Sequence, residues 1–247
     1  MALNLFDVGP LPAAGRPAVF LDKDGTLVED VPYNVDPALL RFTDRAIPAL
    51  QLLQEQGYPL IIISNQSGIA RGYFDQAALD RLAEALSAQL RDAGILLAGF
   101  YACPHAPPEP GEPGCSCRKP QPGLLRRAAL EHGIDLTRSW MVGDILNDVE
   151  AGRRAGCKTV LLDVGNETEW DMAPLRQPHF RARHLMEAAS FILDADARAA
   201  GQRALFPDAL PEALATDGLL QVGSGLPATG VLAAAGGVSA PAAPAAC

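Results

Sequence analysis

The stretch FLDKDGT, Phe20 to Thr26, finishes an apolar run with two aspartates, Asp22 and Asp24, separated by one residue and followed at once by glycine and threonine. On a strand, residues two apart point to the same side. Two carboxylates so placed repel each other, by roughly 4 kcal/mol at ~4 Å and an effective dielectric near 20. A hard cation such as Mg²⁺, which takes oxygen ligands, removes that cost. A plainer reading is a capped turn, since Asp-Gly is common in turns. Taken alone, the motif leaves both open.

Three further groups could act on an anion. Ser64 follows the apolar run LIII within SNQSGIARG, where hydroxyl, amide and glycine-permitted turns can donate hydrogen bonds, with Asn65, Gln66 and Ser67 beside it. Arg118 and Lys119 lie in CRKPQPG just ahead of a helical pattern, and cations beside a helix N-terminus suit a phosphate. Asp144 and Asp148 lie in MVGDILND, four residues apart at a strand-to-helix junction, so both can face one edge. Each signal alone also fits an ordinary loop, a solvated surface or a helix cap. A separate cluster, Cys103, His105, Cys115 and Cys117, has the spacing of a closed tetrahedral site for structural Zn²⁺. The alternatives are scattered thiols or a disulfide. The Pro-rich loop around it, Pro104 to Pro113, has little core of its own and needs a staple. Cys157 reads as a core residue and Cys247 as a tail residue. His132, His179 and His184 read as structural or surface residues.

The elements that must position these groups alternate. PAVFLD, YPLIIIS, LLAGFYAC, SWMVGD and CKTVLLD read as strands. Between them lie helical patterns over DRAIPALQLLQEQG, from Asp75 to Ala93 with Asp75 as cap, from about Pro122 to Gly133, and over LNDVEAGRRAG, with a last helix around His184 to Ala199. Residues 27–42 lack a period and hold Pro32 and Pro37, which suggests a flap or hairpin. This pattern predicts an α/β, Rossmann-like parallel sheet with helices on both faces. Ligands of such sheets bind beyond the carboxyl ends of the strands, where Asp22, Ser64 and Asp144 should converge. The expected organisation is an irregular lead-in over 1–16, one domain over 17–199, and a low-complexity, disordered tail over 200–247.

Across 247 residues the formal net charge is −9 and hydrophobic residues make up 49%. An acidic chain is poorly suited to nucleic acid or an anionic membrane surface. The first basic residue is Arg16, so no signal peptide is expected. No apolar run reaches the roughly 18–20 residues of a membrane span. A cytoplasmic protein, acting as a monomer, is expected.

In the order D-x-D-G-T, Ser at a strand end, Lys before a helix, and G-D-x-x-x-D, the motifs of residues 17–195 resemble those of haloacid-dehalogenase-like phosphohydrolases. FLDKDGT, SNQSGIARGYF, CPH…CSCRKPQPG and MVGD are similar to the D-glycero-D-manno-heptose 1,7-bisphosphate phosphatases and the related histidinol-phosphate phosphatases. The resemblance implies a Mg²⁺-dependent phosphatase removing the 7-phosphate of the heptose, on the route to lipopolysaccharide core sugar. Asp22 would be the nucleophile that forms an aspartyl-phosphate. Asp24 would be the acid and base. Mg²⁺ would be held by the Asp22 carboxylate, the Asp24 backbone carbonyl and Asp144, with Asp148 supporting from behind. Ser64, Asn65 and Lys119 would hold the phosphoryl group. Asp30, Tyr33, Gln66, Ser67 and Arg118 would meet the rest of a small phosphorylated sugar. The resemblance also implies a capless enzyme, because only 41 residues separate Asp22 from Ser64. One departure stands out: Ile145 occupies a position that is usually Lys in the heptose enzymes. A histidinol-phosphate or other small sugar-phosphate phosphatase is the alternative. A catalytically silent binding module would have no need of mutually repelling carboxylates, and a zinc-dependent nucleic-acid binder conflicts with the charge.

Overall fold

The computed structural model describes residues 15–205; of the expected lead-in over 1–16 and tail over 200–247, residues 1–14 and 206–247 lie outside them, while residues 200–205 continue the last helix. The chain divides into two units, one ending at Asp194 and one beginning at Ala195. Of the second, only the end of one helix is described.

Six parallel strands form one sheet. They are β1 (Val19–Leu21), β2 (Leu60–Asn65), β3 (Leu97–Cys103), β4 (Trp140–Gly143), β5 (Lys158–Leu162) and β6 (Phe180–Ala182), in the order β3-β2-β1-β4-β5-β6. The helices are α1 (Ala46–Glu55), α2 (Gln76–Asp92), α3 (Gly123–His132), α4 (Leu146–Ala155) and α5 (Leu185–Leu205). The five expected strands are present. The sixth, FRA, is too short and too polar to announce itself, and it forms by pairing with β5.

β1 lies at the centre and is fully buried, with Val19 opposite both Leu60 and Trp140. Burial on both faces of a parallel sheet explains why VFL and LIII show no alternation. Phe20, Ile61, Ile63 and Met141 share one core cluster with Leu124, Leu125 and Ala151 of α3 and α4. Their neighbours Leu21, Leu60 and Ile62 are equally buried, and α1 and α2 pack on β2 and β3. The chain winds outward from β1 in one direction through β3, then from β4 in the other through β6. The crevice between the ends of β1 and β4 is therefore the switch point at which such sheets bind ligands.

The segment after β1 folds back on itself. Glu29 N–H donates to Arg41 C=O at 2.8 Å and Thr43 N–H to Leu27 C=O at 3.1 Å, and Val28 bridges Phe42 in antiparallel fashion. This is the expected flap. Residues 22–64 hold only this flap, a 3-10 turn at Pro37–Leu39, α1 and β2, which leaves no room for an inserted cap.

At the start of α2 the Asp75 carboxylate accepts from Ala78 N–H at 2.8 Å. An N-cap of this kind contributes about 1 kcal/mol. Asp75→Ala should lower Tm by roughly 2–4 °C without changing activity, as read by thermal denaturation and initial rates; an unchanged Tm would show that this cap is redundant.

Candidate active site

β1 ends at Leu21, so Asp22 is the first residue beyond the strand, and Asp24 sits in the turn that follows. The two carboxylates are thus held by a loop rather than by strand alternation, and each acquires its own partners. Asp22 N–H still donates to Val142 C=O at 2.9 Å, which ties the turn to β4.

Lys119 is the hub. It is buried to 2% exposure, with Nζ 2.5 Å from Asp22 Oδ1 and 2.6 Å from Asp148 Oδ1, and it donates to Ile63 C=O at 2.9 Å. Burial opposes its charge, but Asp148 and Asp22 outweigh burial and hold its pKa above the usual lysine range. Its backbone is clamped by Asn65: Lys119 N–H donates to Asn65 Oδ1 at 3.0 Å, and Asn65 Nδ2 donates to Lys119 C=O at 3.2 Å.

Asp144 and Asp148 complete the acidic side. Oxygens of Asp22, Asp144 and Asp148 lie within 4.8 Å of one another. Burial pushes the Asp144 carboxyl up to about 7, with the Asp22 and Asp148 charges adding to the rise. Burial also raises Asp148, against the pull of Lys119. Three buried carboxylates facing one ammonium leave an excess of negative charge, and hard oxygen donors in that state fit a divalent cation. Thr26 Oγ1 donates to Asp144 Oδ1 at 2.9 Å and Asn166 Nδ2 to Asp144 Oδ2 at 2.8 Å. Gly25, at φ 78°, is packed so tightly that a Cβ there would strike both Asp144 and Asn166.

Asp24 lines the same cavity but has partners of its own. Its Oδ2 accepts from Gln66 Nε2 at 2.9 Å, and the buried Lys23 ammonium meets its Oδ1. Burial raises its pKa, Lys23 opposes the rise, and Asp22 adds to it. Gln66 Nε2 also donates to Ser64 Oγ at 2.8 Å. Asn65 and Gln66, expected as substrate contacts, therefore use their side-chain amides to brace Lys119, Asp24 and Ser64.

These groups line a cavity of about 230 Å³, whose walls include Asp22, Asp24, Ser64, Arg118, Lys119 and Asp144. Ile145 forms part of the same wall. An adjacent cavity of about 270 Å³ shares Asp24, Asp30 and Asn65 and adds Tyr33, Gln66 and Ser67. The flap thus brings Asp30 and Tyr33 to the mouth, where the Tyr33 ring meets Tyr73 edge to face at 4.7 Å.

The Cys/His cluster assembles as its spacing predicts. Sγ of Cys117 lies 3.3 Å from Cys103 and 3.5 Å from Cys115, Cys103 and Cys115 are 3.6 Å apart, and His105 Nδ1 is 3.3 Å from Cys117 and 3.5 Å from Cys103. Donors around one tetrahedral ion with 2.3 Å bonds would be roughly 3.8 Å apart, so the set could hold a metal ion. Burial pushes the Cys103 thiol up to about 12, and a bound cation is what would ionise it. The loop fixes Arg118 twice: its N–H donates to Cys115 Sγ at 3.4 Å and its guanidinium to His105 C=O at 3.1 Å.

Three participants escaped the sequence reading. Lys23 sits inside the motif, and a lysine between two aspartates was the available signal. Asn166 and Glu167 lie on a polar loop after β5 that has no motif at all. Of the histidines, His132 receives or donates a bond with Tyr101 Oη at 2.9 Å and His179 packs by Thr159, and neither lines the active-site cavity.

Residues 116–188 match the family model for HAD-hydrolase-like proteins. The D-glycero-beta-D-manno-heptose-1,7-bisphosphate 7-phosphatase of Photorhabdus laumondii is 44% identical over 151 residues, which cover 60% of this chain and 80% of that protein. The protein of the same name from Pasteurella multocida is 45% identical over 153 residues, covering 61% and 83%. A crystal structure of D,D-heptose 1,7-bisphosphate phosphatase from B. bronchiseptica, complexed with magnesium and phosphate, superposes with a TM-score of 0.60 at 28% identity, over 72% of this chain and 99% of that one. Parallel sheet, switch-point carboxylates and buried lysine are together those of a haloacid-dehalogenase-like hydrolase. Within that superfamily the chain belongs to the family of the D-glycero-beta-D-manno-heptose-1,7-bisphosphate 7-phosphatases.

Lys119→Met would leave Asp22 and Asp148 buried without their shared cation. Breaking such a pair costs about 3–5 kcal/mol, so Tm should fall by roughly 10 °C at pH 7.5. The loss should shrink at pH 5, where a carboxyl raised by burial takes up a proton. A pH-independent loss on thermal denaturation would mean that packing, not charge, sets the effect.

Proposed function

We propose that the chain is a Mg²⁺-dependent phosphatase that removes the 7-phosphate of D-glycero-D-manno-heptose 1,7-bisphosphate. The observation that carries this reading is the placement of Asp22, held by Lys119, at the floor of a cavity whose other walls offer Asp24, Ser64 and Asp144. The Asp22 carboxylate attacks phosphorus and the bond to the sugar oxygen breaks, giving an aspartyl-phosphate. Asp24 hands its proton to the leaving alkoxide, then takes one from the water that attacks the aspartyl-phosphate; phosphate leaves and Asp22 is restored. A carboxyl whose pKa burial has raised suits the first, donating role. Lys119 fixes the Asp22 carboxylate and offsets charge on the transferring group, and the Ser64 hydroxyl and the Asn65 turn complete its cradle. Asp22, the Asp24 backbone carbonyl and Asp144 would hold Mg²⁺, with Asp148 behind them. When bound, Mg²⁺ supplies charge neutralisation between nucleophile and phosphoryl oxygens.

Asp30, Tyr33, Ser67 and Arg118 would meet the sugar and its second phosphate. The reaction pictured needs a small phosphorylated sugar and no nucleic acid, membrane or second copy of the chain, and we place the enzyme in the cytoplasm as a monomer. Among the described residues no helix is long and apolar enough to cross a membrane. One observation favours a second substrate: Ile145 puts an apolar side chain in the cavity wall, where heptose enzymes usually have Lys, so histidinol phosphate is the alternative.

We assign Zn²⁺ to Cys103, His105, Cys115 and Cys117, where it would set the position of Arg118. Two outcomes are expected. Asp22→Asn should bring turnover to background while Tm stays within about 4 °C of the parent; residual phosphatase activity well above background would remove Asp22 from its role. Elemental analysis should find one Zn per chain, and Cys115→Ser should lose it and raise KM roughly tenfold. A zinc-free protein with an unchanged KM would separate the cluster from substrate binding.

A further inference from the structure

Asp144 accepts one hydrogen bond on each oxygen, and the two donors come from opposite sides. Thr26 reaches it from the turn after β1, and Asn166 from the loop after β5, 22 residues further along the chain. A carboxylate oxygen has two lone pairs, so each oxygen keeps one for a cation while the pair of donors fixes the plane of the group. The contact is close-fitting, because Gly25 packs against both Asp144 and Asn166 and leaves no space for a methyl group.

The loop that carries Asn166 is itself anchored. Glu167 Oε2 accepts from Leu146 N–H at 2.6 Å, and Glu167 Oε1 accepts from Glu169 N–H at 2.8 Å. The residue at the N-cap of α4 is Ile145, whose side chain has no acceptor. The first turn of α4 therefore takes an acceptor from the neighbouring loop, and the same contact seats Asn166 over Asp144.

We propose that Asn166, seated by Glu167, is a positioning residue for the divalent-cation site: its amide holds Asp144 in the orientation that binds the ion. This rests on the reading that Asp22 and Asp144 hold Mg²⁺. Partners that orient a ligating carboxylate change metal affinity by about 10–100-fold when removed. Asn166 is exposed overall, so its replacement leaves the core untouched.

The test is calorimetric titration of Mg²⁺ alone into the full-length, cation-stripped protein, without substrate. It compares the parent with Asn166→Ala and with Asn166→Leu, which keeps the size of the side chain but removes the donor. Both variants should bind Mg²⁺ about 10-fold or more weakly than the parent. Unchanged affinity in both variants would overturn the proposal. So would weakening in Asn166→Ala alone, which would trace the effect to packing instead of the amide. A parent protein that binds no Mg²⁺ would remove the cation reading itself, and the proposal with it.

Discussion

Lys119 keeps its charge where almost no water reaches, because Asp22 and Asp148 meet it there. Most of the surrounding architecture serves that contact. β1 stops one residue short of Asp22, α4 begins so that Asp148 falls in its first turn, and Asn65 grips the Lys119 backbone from the end of β2. A buried ammonium between two carboxylates adds little net stability over an apolar trio, yet losing one member is costly. Such a contact is understandable as a means of holding a reactive carboxylate in one orientation, and it makes sheet, helix and loop interdependent.

The same arithmetic explains why the site calls for a cation. Asp22, Asp144 and Asp148 crowd one another, a single ammonium meets only Asp22 and Asp148, and burial lifts Asp144 toward neutrality. The lattice of donors around them, from Thr26, Asn166 and Lys119, reduces the strain without cancelling the charge. Asp24 stands apart, with its own lysine and its own glutamine. Two carboxylates that look equivalent in the motif thus have different surroundings, which is the condition for giving them different tasks.

Much of this was legible in the sequence. The central strands were visible because parallel strands buried on both faces are continuous apolar runs, as in LIII of β2. Asp22, Ser64 and Asp144 could be brought together from strand ends alone, and the thiol and imidazole cluster from spacing alone. What stayed hidden depends on contacts between distant segments. β6 exists through its pairing with β5, not through its own three residues. Asn65 and Gln66 line the two cavities, and their amides also brace Lys119, Asp24 and Ser64, which no local pattern could reveal. Asn166 and Glu167 sit in GNETE, a run indistinguishable from solvated loop, and their importance comes from partners about 20 residues back in the chain. Lys23 gives no decisive local signal of its own, because a lysine between two aspartates reads as a surface charge until burial places it against Asp24.

The most direct measurement is the initial rate of phosphate release from heptose 1,7-bisphosphate, in both anomers, against histidinol phosphate at saturating Mg²⁺. With Asp30, Arg118 and the flap meeting a bisphosphorylated sugar, as proposed, the heptose substrate should be preferred by roughly tenfold or more in kcat/KM, with release stopping at one phosphate per molecule. Preference for histidinol phosphate, or release of both phosphates, would contradict the account of how this cavity selects its substrate.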